Sequence, residues 1–414
     1  MASLCSMVLV CVSLVIALTA SVTAKIEPAI RNDGIGLDKV QYAVNQSVLA
    51  GTHPIGWYSP KGLCSGHYCV HSNRQVASRR GIVVISMSKV REKIDSMKAL
   101  LDKPSNNQDA SPFPFDTIED ADNGLTLLAA KKVRRGTPLM NWTPVFLIHK
   151  DFFDDEPEAE QDRLLEAALQ LLPDETRQKV NSYRQRPGGG MQSLREFVRS
   201  HPFEINLSSP FDKEQSEKHF ATYPEASILT HDCRPNTAYF IGPELAAQFT
   251  VARKLEPGET VTVSVFDSML PRAVRQELSH RVRGTNCSCS ACIAGGNLMG
   301  VTKAEERLRE IKSLEELLKD PRTSGVTVKM VDRYLSLYEQ ERLQSRMMEA
   351  YWTAAINYNN LGYEKRALKY VHLAIQAGII EMGIESNDIV AMRIMAADPK
   401  GHYSWQQRLN GFNG

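Results

Sequence analysis

Three thiols of this chain fall in Cys287-Ser-Cys289-Ser-Ala-Cys292, and a fourth, Cys233, stands upstream in the segment THDCRPN, Thr230 to Asn236. Thiolates can hold a metal or pair oxidatively, and Cys-x-Cys-x-x-Cys suits wrapping a metal better than pairing. In the same upstream segment His231 and Asp232 are side chains that can exchange a proton. Neighbours on an extended strand point to opposite faces, so they act as an acid/base pair only in a reshaped pocket. The plainer role for His231 and Asn236 is to satisfy buried backbone groups.

The 414 residues are 43% hydrophobic and 23% charged, with 49 basic against 48 acidic side chains and a formal net charge of +1. That balance argues against whole-surface attraction to nucleic acid, and no nucleic-acid partner is expected. The length is enough for roughly two or three units with buried cores. Met7 to Leu18 is an apolar run with no Lys or Arg before it, followed by the small-residue site Ser21-Val22-Thr23-Ala24. A run of about a dozen residues is short for a bilayer, which needs roughly 20. Residues 1–24 are therefore expected to be a cleaved secretory signal, with an uncleaved anchor as the alternative. After cleavage the chain is expected to be secreted or in the secretory-pathway lumen, free of the membrane. Cys64, Cys69, Cys233, Cys287, Cys289 and Cys292 remain there in oxidising surroundings. Asn45, Asn141, Asn206 and Asn286 head glycosylation tripeptides, the last crowded by cysteines.

The elements that must position these groups follow from pattern. Residues 25–112 mix turns with one predicted helix, Lys89 to Leu101, and end in the polar loop KPSNNQDASPFP. Asp116 to Pro144 reads as short strands punctuated by Gly124 and Gly136. The spacing of Leu164, Leu165, Ala168, Leu171 and Leu172 predicts an amphipathic helix within Glu156 to Arg184, ended by Pro173 and resumed after Asp174. Pro187-Gly-Gly-Gly190 reads as a loop, and Ser208 to Asp267 returns to short strands. Beyond Thr302 the chain reads as helical, with Leu308, Ile311, Leu314, Leu317 and Leu318 on one face. In Ala355 to Ile375 the placement of Leu361, Gly362, Tyr363, Ala367, Tyr370 and Ala374 is that of half a tetratricopeptide unit. These helices are expected to pack on the preceding domain, with a peptide-binding groove as the competing use.

The order GLTLLAAKKVRRGTPLM (Gly124 to Met140), PEASILTHDCRPNTAYF (Pro224 to Phe240), GETVTVSVFD (Gly258 to Asp267), LPRAVRQEL (Leu270 to Leu278) and CSCSAC (Cys287 to Cys292) resembles the SET-domain protein lysine methyltransferases. It is most similar to the SET-and-MYND group and to fungal SET-domain proteins, over about Phe113 to Ala294. The MYND module is absent, since the region before Phe113 holds only two mature cysteines. The resemblance implies an α+β fold of small twisted sheets in which THDCRPN builds a pseudoknot, with a helical tail. The domains expected are 25–112, a SET and post-SET unit at 113–294, and helices at 295–414. It further implies a structural zinc ion at Cys233, Cys287, Cys289 and Cys292, for which two disulfides are the oxidising alternative. Cys64 and Cys69 are then left to form a small disulfide loop, and His67 and His71 could make a second metal site.

The resemblance also assigns the cofactor S-adenosylmethionine to Gly124, Leu125, Thr126, Thr230 and His231. There the chain departs from the family's motifs. The second glycine of the Gly-x-Gly turn is Thr126, the leading Asn of the pseudoknot motif is Thr230, and the tyrosine at the methyl-transfer point is Val265. Methyl transfer is an in-line displacement needing aligned amine and sulfonium in a shielded site, and no residue is assigned to catalysis. Three readings follow: a secretory-pathway SET scaffold whose pocket serves a small molecule, for instance in a cyclisation or isomerisation in a secondary-metabolite pathway; an S-adenosylmethionine-dependent lysine methyltransferase; and a non-enzymatic binding protein.

Overall fold

The computed structural model describes residues 56–87, 90, 114–120, 124–186, 188–207, 218–293 and 298–409. The apolar run at 7–18, Asn45, the polar loop before Pro114 and nearly all of the expected helix at 89–101 lie outside the described residues.

Thirteen strands among the described residues are β1 (Cys64–Ser65), β2 (Tyr68–Asn73), β3 (Ile82–Met87), β4 (Phe115–Asp120), β5 (Gly124–Ala129), β6 (Pro138–Trp142), β7 (Phe146–His149), β8 (Phe203–Asn206), β9 (Lys218–Thr222), β10 (Thr230–His231), β11 (Thr237–Ile241), β12 (Ala247–Val251) and β13 (Thr262–Val263). They form a six-stranded sheet in the order β1-β2-β3-β7-β9-β8, a three-stranded sheet β11-β12-β6, and the pairs β10-β13 and β4-β5. These are the small separate sheets expected of an α+β fold. Residues 56–87, expected as a region of their own, share one sheet with later strands, because β3 runs parallel to β7 with Val84 opposite Leu147.

The six-stranded sheet is covered on both sides, which explains why IVVI, Ile82 to Ile85 of β3, is apolar throughout. Ile82 and Val84 enter one core and Val83 and Ile85 the other, the two-residue alternation of a strand. The first core joins this sheet to the small sheets through residues such as Leu147, Phe203, Tyr223 and Phe249. The second joins it to α1 (Glu158–Leu171), α2 (Asp174–Tyr183) and α3 (Leu194–Ser200). Leu164, Leu165, Ala168, Leu171 and Leu172 are all buried, and Pro173 separates α1 from α2 as expected. A proline after the last helical residue cannot continue the hydrogen-bond ladder.

After α4 (Arg272–Arg283) the tail consists of α5 (Leu298–Lys319), α6 (Val328–Gln340), α7 (Met347–Asn360), α8 (Glu364–Met382) and α9 (Asn387–Ala397). Leu308, Ile311 and Leu318 of α5 are buried, but Leu317 is 41% exposed, which corrects its placement on that face. Nine residues beyond Leu308 is about two and a half turns at 3.6 residues per turn, so Leu317 points away. Gly362 turns between α7 and α8 at φ +77°, Ala367 and Ala374 are fully buried, and Tyr358 stacks on Tyr370 at 5.2 Å. The tail seats on the small sheets: Ile380 of α8 clusters with Ala238 and Ala252, and a side chain at Gly383 would meet the Phe240 ring at 2.7 Å.

Candidate functional site

The Cys-x-Cys-x-x-Cys turn is held against α4 by backbone bonds on both sides of Gln276. Cys287 N donates to Gln276 Oε1 at 2.9 Å, and Gln276 Nε2 donates to Cys287 O at 2.8 Å. Arg272 Nε donates to Cys292 O at 2.6 Å. This brings Cys287, Cys289 and Cys292 onto Cys233, with the four sulfurs within 4.8 Å of one another. Cys233 Sγ lies 3.9 Å from Cys287 Sγ and 3.8 Å from Cys292 Sγ. Four sulfurs placed tetrahedrally about a zinc ion at 2.3 Å stand about 3.8 Å apart, whereas a disulfide needs about 2 Å. The donor set therefore fits a closed structural metal site, and Cys233, Cys287 and Cys292 are buried with Cys289 half-buried. Hydrogen bonding from Cys233 and then the other thiols holds the Cys292 thiol below its ordinary range, with the Arg275 charge adding to the effect. By contrast, Cys64 and Cys69 form a disulfide across β1 and β2.

The segment THDCRPN is locked to the stretch 260–265 by backbone and side chain alike. β10 pairs parallel with β13, Thr230 N donates to Val261 O at 3.2 Å, and Asp232 N donates to Val263 O at 3.0 Å. Asn236, 1% exposed, uses its whole amide here: Nδ2 donates to Thr260 O at 2.8 Å and Oδ1 accepts from Thr262 N at 2.8 Å. This is the satisfaction of buried backbone expected of Asn236 and the tie a pseudoknot requires. His231 sits between the thiols and the strand end, with Nε2 3.5 Å from Cys233 Sγ and its ring edge-on to Phe266 at 5.2 Å. Burial, helped by the Arg283 charge, pushes its imidazole down to about 3, so it is neutral. Asp232 faces the other way, accepting from Ser290 Oγ at 2.9 Å and from Arg234 N at 2.7 Å. The two form no acid/base pair.

The residues assigned to S-adenosylmethionine flank the same stretch. Val261 N donates to Leu127 O at 2.8 Å while Val261 O accepts from Thr230, so β5 and β10 lie on either side of it. Gly124 takes φ +72°, a conformation that favours glycine. Thr126 is 4% exposed, and its buried Oγ1 has no hydrogen-bond partner. Thr126 thus places a buried β-branched side chain with an unpartnered hydroxyl at the position expected to be the second glycine of the Gly-x-Gly turn. None of Gly124, Leu125, Thr126, Thr230 and His231 lines either of the two large cavities.

The first of these cavities, about 500 Å³, opens beside Val265. Pro235 and Tyr239 form one side, Val265, Phe266 and Asp267 another, Leu278, Arg281 and Val282 of α4 a third, and Lys150, Glu204 and Phe220 of the large sheet close it. Tyr239 packs edge-on to Phe203 at 4.9 Å, and burial, then Glu204, pushes its hydroxyl up to about 12. The second cavity, about 690 Å³, lies against α5 to α8 and shares Tyr239, Asp267, Leu270, Ser345 and Arg346 with the first. In it Glu381 accepts from Met348 N at 3.0 Å, and burial pushes its carboxyl up to about 8.

Sequence reading gave no sign of Arg234, the variable residue of the pseudoknot motif. It is 6% exposed and donates to Ser268 O and Cys233 O at 2.9 Å and to Glu341 Oε2 at 2.9 Å, tying the knot to the helical tail. Of the glycosylation tripeptides, Asn206 and Asn286 are exposed and Asn141 is half-buried in β6. His67 and His71 join no metal-binding cluster among the described residues, and His71 Nδ1 is 2.6 Å from Ser59 Oγ.

No family model matches the chain. Over 109 residues it is 28% identical to the N-lysine methyltransferase SMYD2-B of Danio rerio, covering 26% of this chain and 24% of that protein. The chain thus matches about a quarter of that relative's length. The crystal structure of the SET domain of LSMT bound to lysine and AdoHcy covers 75% of this chain and 91% of its own at a TM-score of 0.25 and 9% identity.

Proposed function

We propose that this SET-domain, methyltransferase-like chain clamps a structural zinc ion with four cysteines and uses the cavity beside Val265 for a small molecule, in place of methylating protein lysines. The carrying observation is the cavity wall itself. Where the family's motif has a phenol, Val265 and Phe266 present hydrocarbon, while Lys150, Glu204, Tyr239, Asp267, Arg281 and Arg346 bring polar groups to the same space. An apolar wall with few convergent polar groups, in a volume of about 300–1,000 Å³, is what small-molecule sites share. Fixed charges and shape can fold a ligand for cyclisation or isomerisation without a nucleophile.

Bound zinc would stabilise the fold by tying the Cys287–Cys292 turn to the pseudoknot, with no open position for chemistry. The Cys64–Cys69 disulfide supports folding in an oxidising compartment. Metal ligation would keep the other four thiols from oxidising there.

The similarity to SMYD2-B, an N-lysine methyltransferase, supports the competing reading, lysine methylation. Incubating the zinc-loaded protein with methyl-labelled S-adenosylmethionine and lysine-containing proteins separates the two. The proposal expects no labelled lysine, and labelled lysine formed by the unmodified protein overturns it.

A further inference from the structure

We propose that the ligand of the cavity beside Val265 is an amphipathic carboxylate whose head group is taken by Arg281; this rests on the small-molecule reading above. The charges on the cavity wall argue for it. Lys150 Nζ is 2.9 Å from Glu204 Oε2, and Arg346 pairs with Asp267, so four of the five charged lining residues neutralise one another in pairs. Glu204 is further matched by Lys218 at 2.8 Å. Arg281 forms no ion pair and no side-chain hydrogen bond among the described residues.

The position of Arg281 is fixed even though its guanidinium is unused. It lies in the last turn of α4, and Arg199 clamps that turn by donating from Nη2 to Arg281 O and from Nε to Val282 O at 2.9 Å. A guanidinium carried on a backbone fixed in this way and left without a counter-charge can meet a carboxylate as a two-pronged fork. Arg281 is exposed, at the mouth, whereas Val265, Phe266 and Leu278 line the wall. The arrangement sorts a ligand into a charged end outward and a hydrocarbon body inward. An uncharged ligand of the same shape would keep the wall contacts and forgo the arginine.

A displacement assay with the full zinc-loaded chain tests this. The uncharged dye N-phenyl-1-naphthylamine is bound, then displaced by octanoate or by octanamide, which differ only in the head group. Octanoate is expected to displace it at concentrations about tenfold lower than octanamide, the worth of one charge-assisted pair. Arg281→Gln should erase that difference while leaving octanamide unchanged, and Arg281→Lys should keep most of it. Val265→Trp, which fills the wall, should abolish dye binding in a protein whose circular dichroism is unaltered. If dye binding is absent, or survives Val265→Trp, the small-molecule reading of the cavity falls and the carboxylate falls with it. If Val265→Trp abolishes binding but octanoate and octanamide compete equally, the cavity reading stands and the carboxylate assignment alone is overturned.

Discussion

The thiol cluster and the wall at Val265 lie at opposite ends of one short stretch, since His231 touches Cys233 on one side and Phe266 on the other. Around the cluster most groups have a task. Four sulfurs sit at metal-binding spacing, Asn236 spends its whole amide on the backbone, and Arg234 donates from both terminal nitrogens to two carbonyls and Glu341 while its buried Nε has no partner. On the wall two groups stand apart: the Val265 side chain offers no donor, and Arg281 carries a charge with no ion pair among the described residues. The contrast separates what the fold needs from what the family's chemistry needs. A buried polar group that loses its partner costs stability at once, whereas a cavity wall can change its chemistry while the chain still folds.

The largest test of this contrast is Cys292→Ser. Structural zinc in small domains contributes about 10–16 kcal/mol, more than the ~5–15 kcal/mol of net stability of a typical domain. The variant should lose its bound zinc by elemental analysis and become protease-sensitive. A folded, metal-free Cys292→Ser protein would break the claim that the cluster is structural. Next comes Glu341→Ala, which leaves Arg234 charged and buried. It should cost about 3–5 kcal/mol by denaturant titration. Asn236→Ala strips partners from Thr260 O and Thr262 N and should cost about 2–4 kcal/mol in the same assay.

A pH series sharpens the comparison at the tail. The Glu381 carboxyl, raised from 4.5 to about 8, holds its proton more tightly folded than unfolded. Its stabilising contribution is therefore full below the unfolded value and disappears as pH rises through the folded one. The melting temperature should fall between about pH 5 and about pH 9, and less so in Glu381→Gln. The smallest effect belongs to Thr126→Val. Replacing an unsatisfied buried hydroxyl by a methyl should be neutral or stabilising by up to about 1 kcal/mol in thermal denaturation. A loss of several kcal/mol would mean that the hydroxyl has a partner.

Much of the scaffold was legible because its signals are local. Pro173 announces the break between α1 and α2, and Gly124 and Gly136 mark positions of positive φ. The coming together of Cys233 with Cys287–Cys292 followed from motif order. What escaped were pairings across long stretches of chain: Arg234 meets Glu341 at a separation of 107 residues, and no period in either neighbourhood foretells it. Leu317 was misplaced because a run of leucines two to three residues apart drifts around a helix of 3.6 residues per turn. The cavity was hidden for a similar reason, since Lys150 follows β7 of the large sheet, Val265 follows β13, and Arg281 comes from α4.

The proposal that the cavity serves a small molecule in place of lysine methylation is tested most directly by calorimetric titration of the zinc-loaded chain with S-adenosylmethionine. The account predicts no saturable heat, since it proposes a small molecule for the cavity in place of methyl transfer and a buried β-branched Thr126 stands where the expected turn has glycine. A saturable isotherm with one site per chain would contradict it.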